Sequence, residues 1–299
     1  MRHLIHIGYP KTGSSYLHRW FSTHPQILHS PNGLAGFAGT ADFTAAAAHG
    51  KSDRAWYVTS AVSLASPGPG VGRGLGWDVD SPYRPNELRE ARERVCAQLA
   101  DIFPNAYVLM VTRGFRSMIL STYSEYLRVG GLADFDRFVR LIIENPWNYD
   151  CMLALYRRAF CGRVIVLPFE LLAGNPRLFR SELERRLEIS SFEFPDEKVR
   201  PSLSSAELLW YPRVRSLYRG NAFVRFQVEP RIINRLGPLF SVLNGIYRTP
   251  GPSADAIPDE IIDRMRGHTK LLKQEPPYYP YGQEYLFQPA MTGNREAGA

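Results

Sequence analysis

Two nearly unbroken apolar runs, Tyr107-Val108-Leu109-Met110-Val111-Thr112 and Val164-Ile165-Val166-Leu167, limit what this chain can fold into more than any other feature. A strand with one wet face alternates apolar and polar residues. A strand apolar at every position has both faces covered, as in a parallel sheet lying between helices. Helical segments follow the two runs, at 115–128 and at 176–187. The chain opens on the same pattern: residues 2–8 read as a short buried strand around Leu4-Ile5-His6-Ile7. Residues 14–23 then read as a helix with Leu17, Trp20 and Phe21 on one face, ended by Pro25. Trp56-Tyr57-Val58-Thr59-Ser60 is a further strand. Pro85 opens a helix whose Leu88, Val95, Leu99 and Ile102 share a face and which Phe103-Pro104 closes. Helices are also expected at 134–144, at 149–160, and at 258–273 with Asp259 and Glu260 in the first turn. Strand and helix alternating in this way imply an α/β fold, a parallel sheet flanked by helices on both faces.

The 299 residues, 44% of them hydrophobic, are enough for a sizeable core. With no internal repeat and no clean linker, residues 1–290 are expected to form a single domain. Its least periodic stretch, about 30–84, reads as an insertion that shapes a pocket, and 291–299 as a disordered tail. An odd count of cysteines (Cys96, Cys151, Cys161) gives neither a disulfide framework nor metal-ligand spacing, so a reducing compartment and core packing are expected. There is no signal-peptide core and no long apolar run, so the expectation is a cytoplasmic chain without a transmembrane segment. The net charge of +7 and the pI near 9.4 favour an anionic partner. No dense Lys/Arg tract interleaved with aromatics is present. Nucleic acid is therefore not the expected partner, and charge alone leaves an anionic membrane surface, a phosphorylated small molecule or a plain solvated basic surface.

The segment Gly8-Tyr9-Pro10-Lys11-Thr12-Gly13-Ser14-Ser15-Tyr16-Leu17 lies between the first strand and the first helix. Backbone N–H groups there are unpaired and the helix dipole favours negative charge, so the place suits a phosphate. Gly13 lets the backbone come close, Ser14 and Ser15 add hydroxyls, and Lys11 adds a mobile positive charge. The fold is thus P-loop-like, but the loop is not a nucleotide P-loop. Gly8 and Gly13 have the right gap, yet Ser14 stands where that motif needs its lysine, and the lysine has moved to position 11. The strand at 107–112 ends in Arg113, not in a metal-binding aspartate.

Tyr9-Pro10-Lys11-Thr12-Gly13-Ser14-Ser15-Tyr16-Leu17 resembles the 5'-phosphosulfate loop of the sulfotransferases that use 3'-phosphoadenosine-5'-phosphosulfate (PAPS), in particular the bacterial-type carbohydrate and small-molecule enzymes. Arg113-Gly114-Phe115-Arg116-Ser117-Met118-Ile119-Leu120-Ser121 resembles their 3'-phosphate signature. The resemblance implies transfer of a sulfuryl group from PAPS to a hydroxyl or amine of a carbohydrate or other small-molecule acceptor. PAP (3'-phosphoadenosine-5'-phosphate) is the implied product, and no metal is expected. It implies that Lys11 meets the leaving phosphate, that Thr12, Gly13, Ser14, Ser15 and Tyr16 wrap the 5'-phosphate, and that Arg113 and Ser121 grip the 3'-phosphate by charge-assisted hydrogen bonds. Arg116 reads as a solvated neighbour or a second phosphate contact. Phe169, in Val166-Leu167-Pro168-Phe169-Glu170, is a candidate to stack on the adenine, with plain core packing as the other reading. The family resemblance is good over about 2–190 and weaker beyond, where Lys270-Leu271-Leu272 and Tyr281-Gly282 resemble the closing segment.

The implied general base is missing. Thr59-Ser60-Ala61-Val62-Ser63-Leu64 resembles a bacterial segment in which a glutamate follows the serine, but here Ala61 takes its place. Asp78, which alternates with Asp80 and shares a face with it in an extended segment, is the first substitute. His29 is the alternative base, followed by Asp42 and His49. His6 reads as core. Trp77, Tyr83, Tyr123, Trp147, Tyr278 and Tyr279 are candidate walls of an acceptor pocket, or core. A non-catalytic protein that binds 3'-phosphoadenosine nucleotides and a divergent P-loop kinase are the alternative functions. A homo-oligomer is compatible with the sequence.

Overall fold

The computed structural model describes residues 1–30, 54–65, 85–128, 131–142, 145–195, 203–216, 239–243, 245–246 and 251–287. Five parallel strands make one sheet: β1 (Arg2–His6), β2 (Ile27–Ser30), β3 (Trp56–Ser60), β4 (Tyr107–Thr112) and β5 (Val164–Pro168), in the order β2-β3-β1-β4-β5. The helices are α1 (Ser14–Thr23), α2 (Pro85–Ile102), α3 (Phe115–Arg128), α4 (Phe135–Arg140), α5 (Tyr149–Ala159), α6 (Phe169–Gly174), α7 (Pro176–Leu187), α8 (Ser205–Ser216) and α9 (Asp259–Asp263).

The apolar runs divide residue by residue between the two faces of the sheet. Leu4, Val58, Leu109, Val111, Ile165 and Leu167 pack with Leu17, Trp20 and Phe21 of α1 and with Phe179, Leu183 and Leu187 of α7. Their neighbours Ile5, Val108, Met110, Val164 and Val166 pack on the opposite face with Leu99 of α2, Met118 and Ile119 of α3, and Leu153 of α5. The period of two in side-chain direction, applied to a run with no polar positions, requires two such layers.

The strand order reverses at the centre. From β1 the chain proceeds to β2 and β3 on one side, then crosses to β4 and β5 on the other. Helix α1 leaves β1 on one face and α3 leaves β4 on the other, so a crevice opens between the C-terminal ends of β1 and β4, where open α/β sheets take their ligands. The loop after β1 and the turn after β4, which the sequence singled out, lie on its rims.

Four expectations need correction. The helix at 258–273 stops at Asp263, and Gly267 in left-handed backbone (φ 80°) is followed by 3-10 turns at Leu272–Gln274 and Pro276–Tyr281. The helix at 134–144 is shorter, Phe135–Arg140, capped by Asp134 through a bond from the Arg137 N–H. Cys96 is buried, but Cys151 and Cys161 are exposed and fill no core. Strand β2 and helices α6 and α8 had no counterpart in the sequence reading; β2 has a single fully buried residue, Ile27, and helix α8 holds Pro212.

Candidate functional site

The first rim is the loop after β1. Lys11 (φ 69°) and Gly13 (φ 85°) both adopt left-handed backbone, and Thr12 Oγ1 donates to Tyr9 O at 2.5 Å, which curls the loop before α1. A β-carbon on Gly13 would lie 2.5 Å from Leu172 Cδ2 and 3.5 Å from the Phe169 ring, and the φ of 85° is one that side chains rarely adopt, so this position favours glycine where α6 packs against the loop. Ser14 Oγ is buried with no hydrogen-bond partner.

The second rim is the turn after β4. Arg113 Nη1 donates to Lys11 O at 2.8 Å and joins the two motifs directly. Its Nε donates to Ser117 Oγ at 3.0 Å, and the guanidinium lies 4.4 Å over the Phe169 ring. Among the described residues no carboxylate pairs with this guanidinium. Burial lowers the Arg113 pKa, with Glu170 opposing that shift from a distance.

A polar chain fixes this turn. Thr112 Oγ1 spends its one proton on Tyr285 Oη (3.0 Å), so Tyr278 Oη is the donor in its own 2.7 Å bond to Thr112 Oγ1. Tyr285 Oη donates to Glu170 Oε2 at 2.8 Å, and Glu170 Oε1 accepts the Gly114 N–H at 2.9 Å. Tyr149 Oη donates to Arg113 O at 2.6 Å. Burial raises the pKa of all three tyrosines well above the ordinary value, so they stay protonated donors. The C-terminal segment closes over the turn: the Phe115 N–H donates to Glu284 O, and a β-carbon on Gly114 would lie 2.6 Å from Glu284 Cβ.

Glu125 completes the site. It lies on α3 four residues beyond Ser121, in the row Ser117, Ser121, Glu125. Its Oε2 is 3.2 Å from Lys11 Nζ, the lysine side chain being 17% exposed and the glutamate 32%. Burial lowers the Lys11 pKa, Glu125 opposes the shift, and Arg128 and Arg113 add to it. The site therefore presents a lysine and an arginine at the crevice, unpartnered buried hydroxyls on both rims (Ser14 and Ser121), and one carboxylate on the lysine.

Two solved structures are similar to this chain. One is a sulfotransferase from Alicyclobacillus acidocaldarius, at 16% identity and a TM-score of 0.46, covering 74% of this chain and 97% of that one. The other is the mouse sulfotransferase SULT7A1 complexed with PAP, at 12% identity and a TM-score of 0.40, covering 89% of this chain and 85% of that one. No family model and no curated protein matches.

The expected residues do not all meet at one place. Lys11, Thr12, Gly13, Arg113 and Phe169 meet at the crevice. Ser121 Oγ is buried on α3 and makes no hydrogen bond to Arg113. Ser15 is half-buried, and the Tyr16 side chain leaves the loop: its hydroxyl takes a bond from Arg180, and its ring meets Phe194 edge-on at 5.4 Å. That side holds a groove of about 570 Å³ lined by Arg177, Arg180, Glu184, Phe192 and Phe194, off the loop.

His29 belongs to a histidine cluster. Its Nδ1 is 2.7 Å from Ser22 Oγ and its ring 5.4 Å from that of His18. Ser60 Oγ bridges His18 Nε2 (2.6 Å) and His6 Nδ1 (2.7 Å). Burial, then the charge of His18, lowers the His29 pKa to about 4. Asp78, Asp80, Asp42 and His49 lie outside the described residues, as do Trp77 and Tyr83. Tyr123 and Trp147 are core, Tyr278 holds the Arg113 turn, and Tyr279 is 63% exposed. Arg116, its side chain one-third exposed, donates to Ala254 O and Ile257 O and pairs with the exposed Asp259, tying down the C-terminal third. Sequence reasoning missed Glu125 and Glu170 as members of the site. A glutamate four residues beyond Ser121 was a readable signal for the first; nothing in the sequence marks the second.

Among the described residues no group of three or more His, Cys, Asp or Glu is placed to hold a metal, and no helix is long and apolar enough to cross a membrane.

Proposed function

We propose that the chain transfers a sulfuryl group from PAPS to a hydroxyl, or an amine, of a small-molecule or carbohydrate acceptor. The observation that carries this reading is Arg113. It is a largely buried guanidinium with no carboxylate partner among the described residues, and it is bonded across the crevice to the carbonyl of Lys11. A buried cation without a counter-ion is costly, and an anionic ligand relieves the cost. Two cationic side chains on two rims suit a ligand with two separated phosphates better than one with a single phosphate chain. The orphaned hydroxyls of Ser14 and Ser121 supply a donor on each rim.

PAPS supplies the activated sulfuryl group and a phosphate as leaving group. Lys11 and the N-terminal N–H groups of α1 meet the charge that collects on that phosphate. Arg113 and Ser121 hold the 3'-phosphate, and the Phe169 ring presents a flat face beside the guanidinium for the base. The chain Tyr278–Thr112–Tyr285–Glu170–Gly114 keeps Arg113 from swinging, so alignment is set before the ligands arrive.

The test is incubation with radiolabelled PAPS and a panel of phenols, sugars and amines. Wild type labels at least one class of acceptor, and Lys11→Ala lowers the rate by roughly 100-fold or more. PAP binding without transfer to any acceptor or to water would assign the chain to the non-catalytic nucleotide binders.

A further inference from the structure

We propose that Glu125 is the general base of this site, an inference that rests on the sulfuryl-transfer reading above. The usual place for that group, after β3, holds Ala61, which has no proton acceptor. Among the described residues, two carboxylates border the crevice. Glu170 is committed: it accepts from the Gly114 N–H, from Tyr285 Oη at 2.8 Å and from Ser117 Oγ at 3.4 Å, and it faces the Arg113 turn. Among the described residues Glu125 has one hydrogen-bond partner, Lys11 Nζ at 3.2 Å, and a side chain one-third exposed, so a bound acceptor can reach it.

The position of Glu125 follows from α3 itself. Ser117, Ser121 and Glu125 stand at i, i+4 and i+8, one inclined row on the helix. The row begins beside Arg113, through the bond from its Nε to Ser117, and ends at the lysine of the opposite rim. One helix therefore carries an implied 3'-phosphate contact and a carboxylate at the reacting end. Without ligand, Glu125 holds the ammonium of Lys11. Once a phosphate takes over that ammonium, the carboxylate is released a few ångströms from the reacting end, with Arg128 of the same helix as the nearby cation.

Glu125 then accepts the proton of the acceptor hydroxyl as the acceptor oxygen bonds to sulfur. The bond between sulfur and the bridging phosphate oxygen breaks, and its electron pair stays on that oxygen, where Lys11 meets the charge. No oxidant, reductant or metal enters the balance.

The experiment compares wild type, Glu125→Gln and Glu125→Ala in two measurements: PAP affinity by calorimetry, and transfer from radiolabelled PAPS to water, 2-naphthol and p-nitrophenol. Glu125→Gln is expected to bind PAP at least as tightly as wild type, because a negative charge beside the phosphate site is gone. Its transfer to water and to 2-naphthol falls roughly 100-fold or more, and its transfer to p-nitrophenol, already largely ionised at mildly alkaline pH, falls far less. Glu125→Ala behaves alike. The proposal is overturned by Glu125→Gln within threefold of wild type on every acceptor, by an equal loss on acidic and weakly acidic acceptors, or by PAP affinity lost in step with rate. The last two outcomes describe a residue that merely positions Lys11. Failure of wild type itself to bind PAP overturns the sulfuryl-transfer reading instead, and with it this one.

Discussion

Lys11 must satisfy opposing demands. It lies in left-handed backbone and is mostly shielded from water, and burial lowers its pKa, with Arg128 and Arg113 pushing the same way. Glu125 is what keeps the ammonium in place. Exchanging Glu125 for glutamine should therefore lower the Lys11 pKa further, readable by NMR of a labelled lysine side chain; an unchanged value would mean that the ion pair does not form in solution. Gly13 carries a separate expectation. Gly13→Ala meets both a positive φ and Leu172 Cδ2, so a loss of about 1–3 kcal/mol in urea unfolding is expected, with weaker PAP binding. At this level Lys11 and Arg113 were legible because a displaced lysine and an arginine at a strand end are unusual for a nucleotide loop. Glu125 carried only its spacing from Ser121 as a signal, because a lone acid in a helix reads as solvated surface until its partner, 114 positions away in the chain, is known.

The strands and helices were largely readable from periodicity, and their failures have local causes. Apolar runs without alternation gave β4 and β5 within a residue. The helix at 258–273 was misread because its opening acids and apolar spacing are helical, while Gly267 and the tertiary bonds of the next segment end it early. That segment turned out to be structural support for the site. Thr269 Oγ1 donates to Tyr285 O, and Tyr285 in turn reaches Glu170 under the Arg113 turn. Tyr285→Phe removes a hydroxyl that serves one donor, the buried Thr112, and one acceptor, the half-buried Glu170. It should cost about 1–3 kcal/mol of stability and loosen PAP binding, since Arg113 loses its brace. Calorimetric unfolding and PAP titration of the variant check both; unchanged PAP affinity would separate the C-terminal segment from the site.

Strand order is what the sequence could not supply. The order β2-β3-β1-β4-β5 decides that the loops after β1 and β4 are neighbours, and it follows from long-range packing. The whole fold should also respond to acid. Burial lowers the pKa of His3 to about 4 and that of His6 to about 3, the latter helped by the charges of His18 and His29, against 6.5 for an ordinary histidine. Both rings are neutral in the folded chain, so the unfolded chain takes up protons first as pH falls. Their stabilisation is complete above about pH 6.5 and is lost on the way down to about pH 4 for His3 and about pH 3 for His6, on the order of 2 kcal/mol per histidine by about pH 5. The melting temperature should drop accordingly between about pH 7.5 and about pH 5, and His6→Gln should drop less; a flat profile would refute the neutral cluster.

The central claim is that the crevice takes a nucleotide with phosphates at both ends of the nucleoside. Calorimetric titration with PAP and with 5'-AMP tests it most directly, since the two differ only in the 3'-phosphate. The arrangement of Lys11 and Arg113 predicts that PAP binds at least roughly tenfold more tightly, the worth of one charge-assisted phosphate contact, and that Arg113→Ala removes the difference. Equal affinity for the two nucleotides, or a preference for PAP that survives Arg113→Ala, would contradict it.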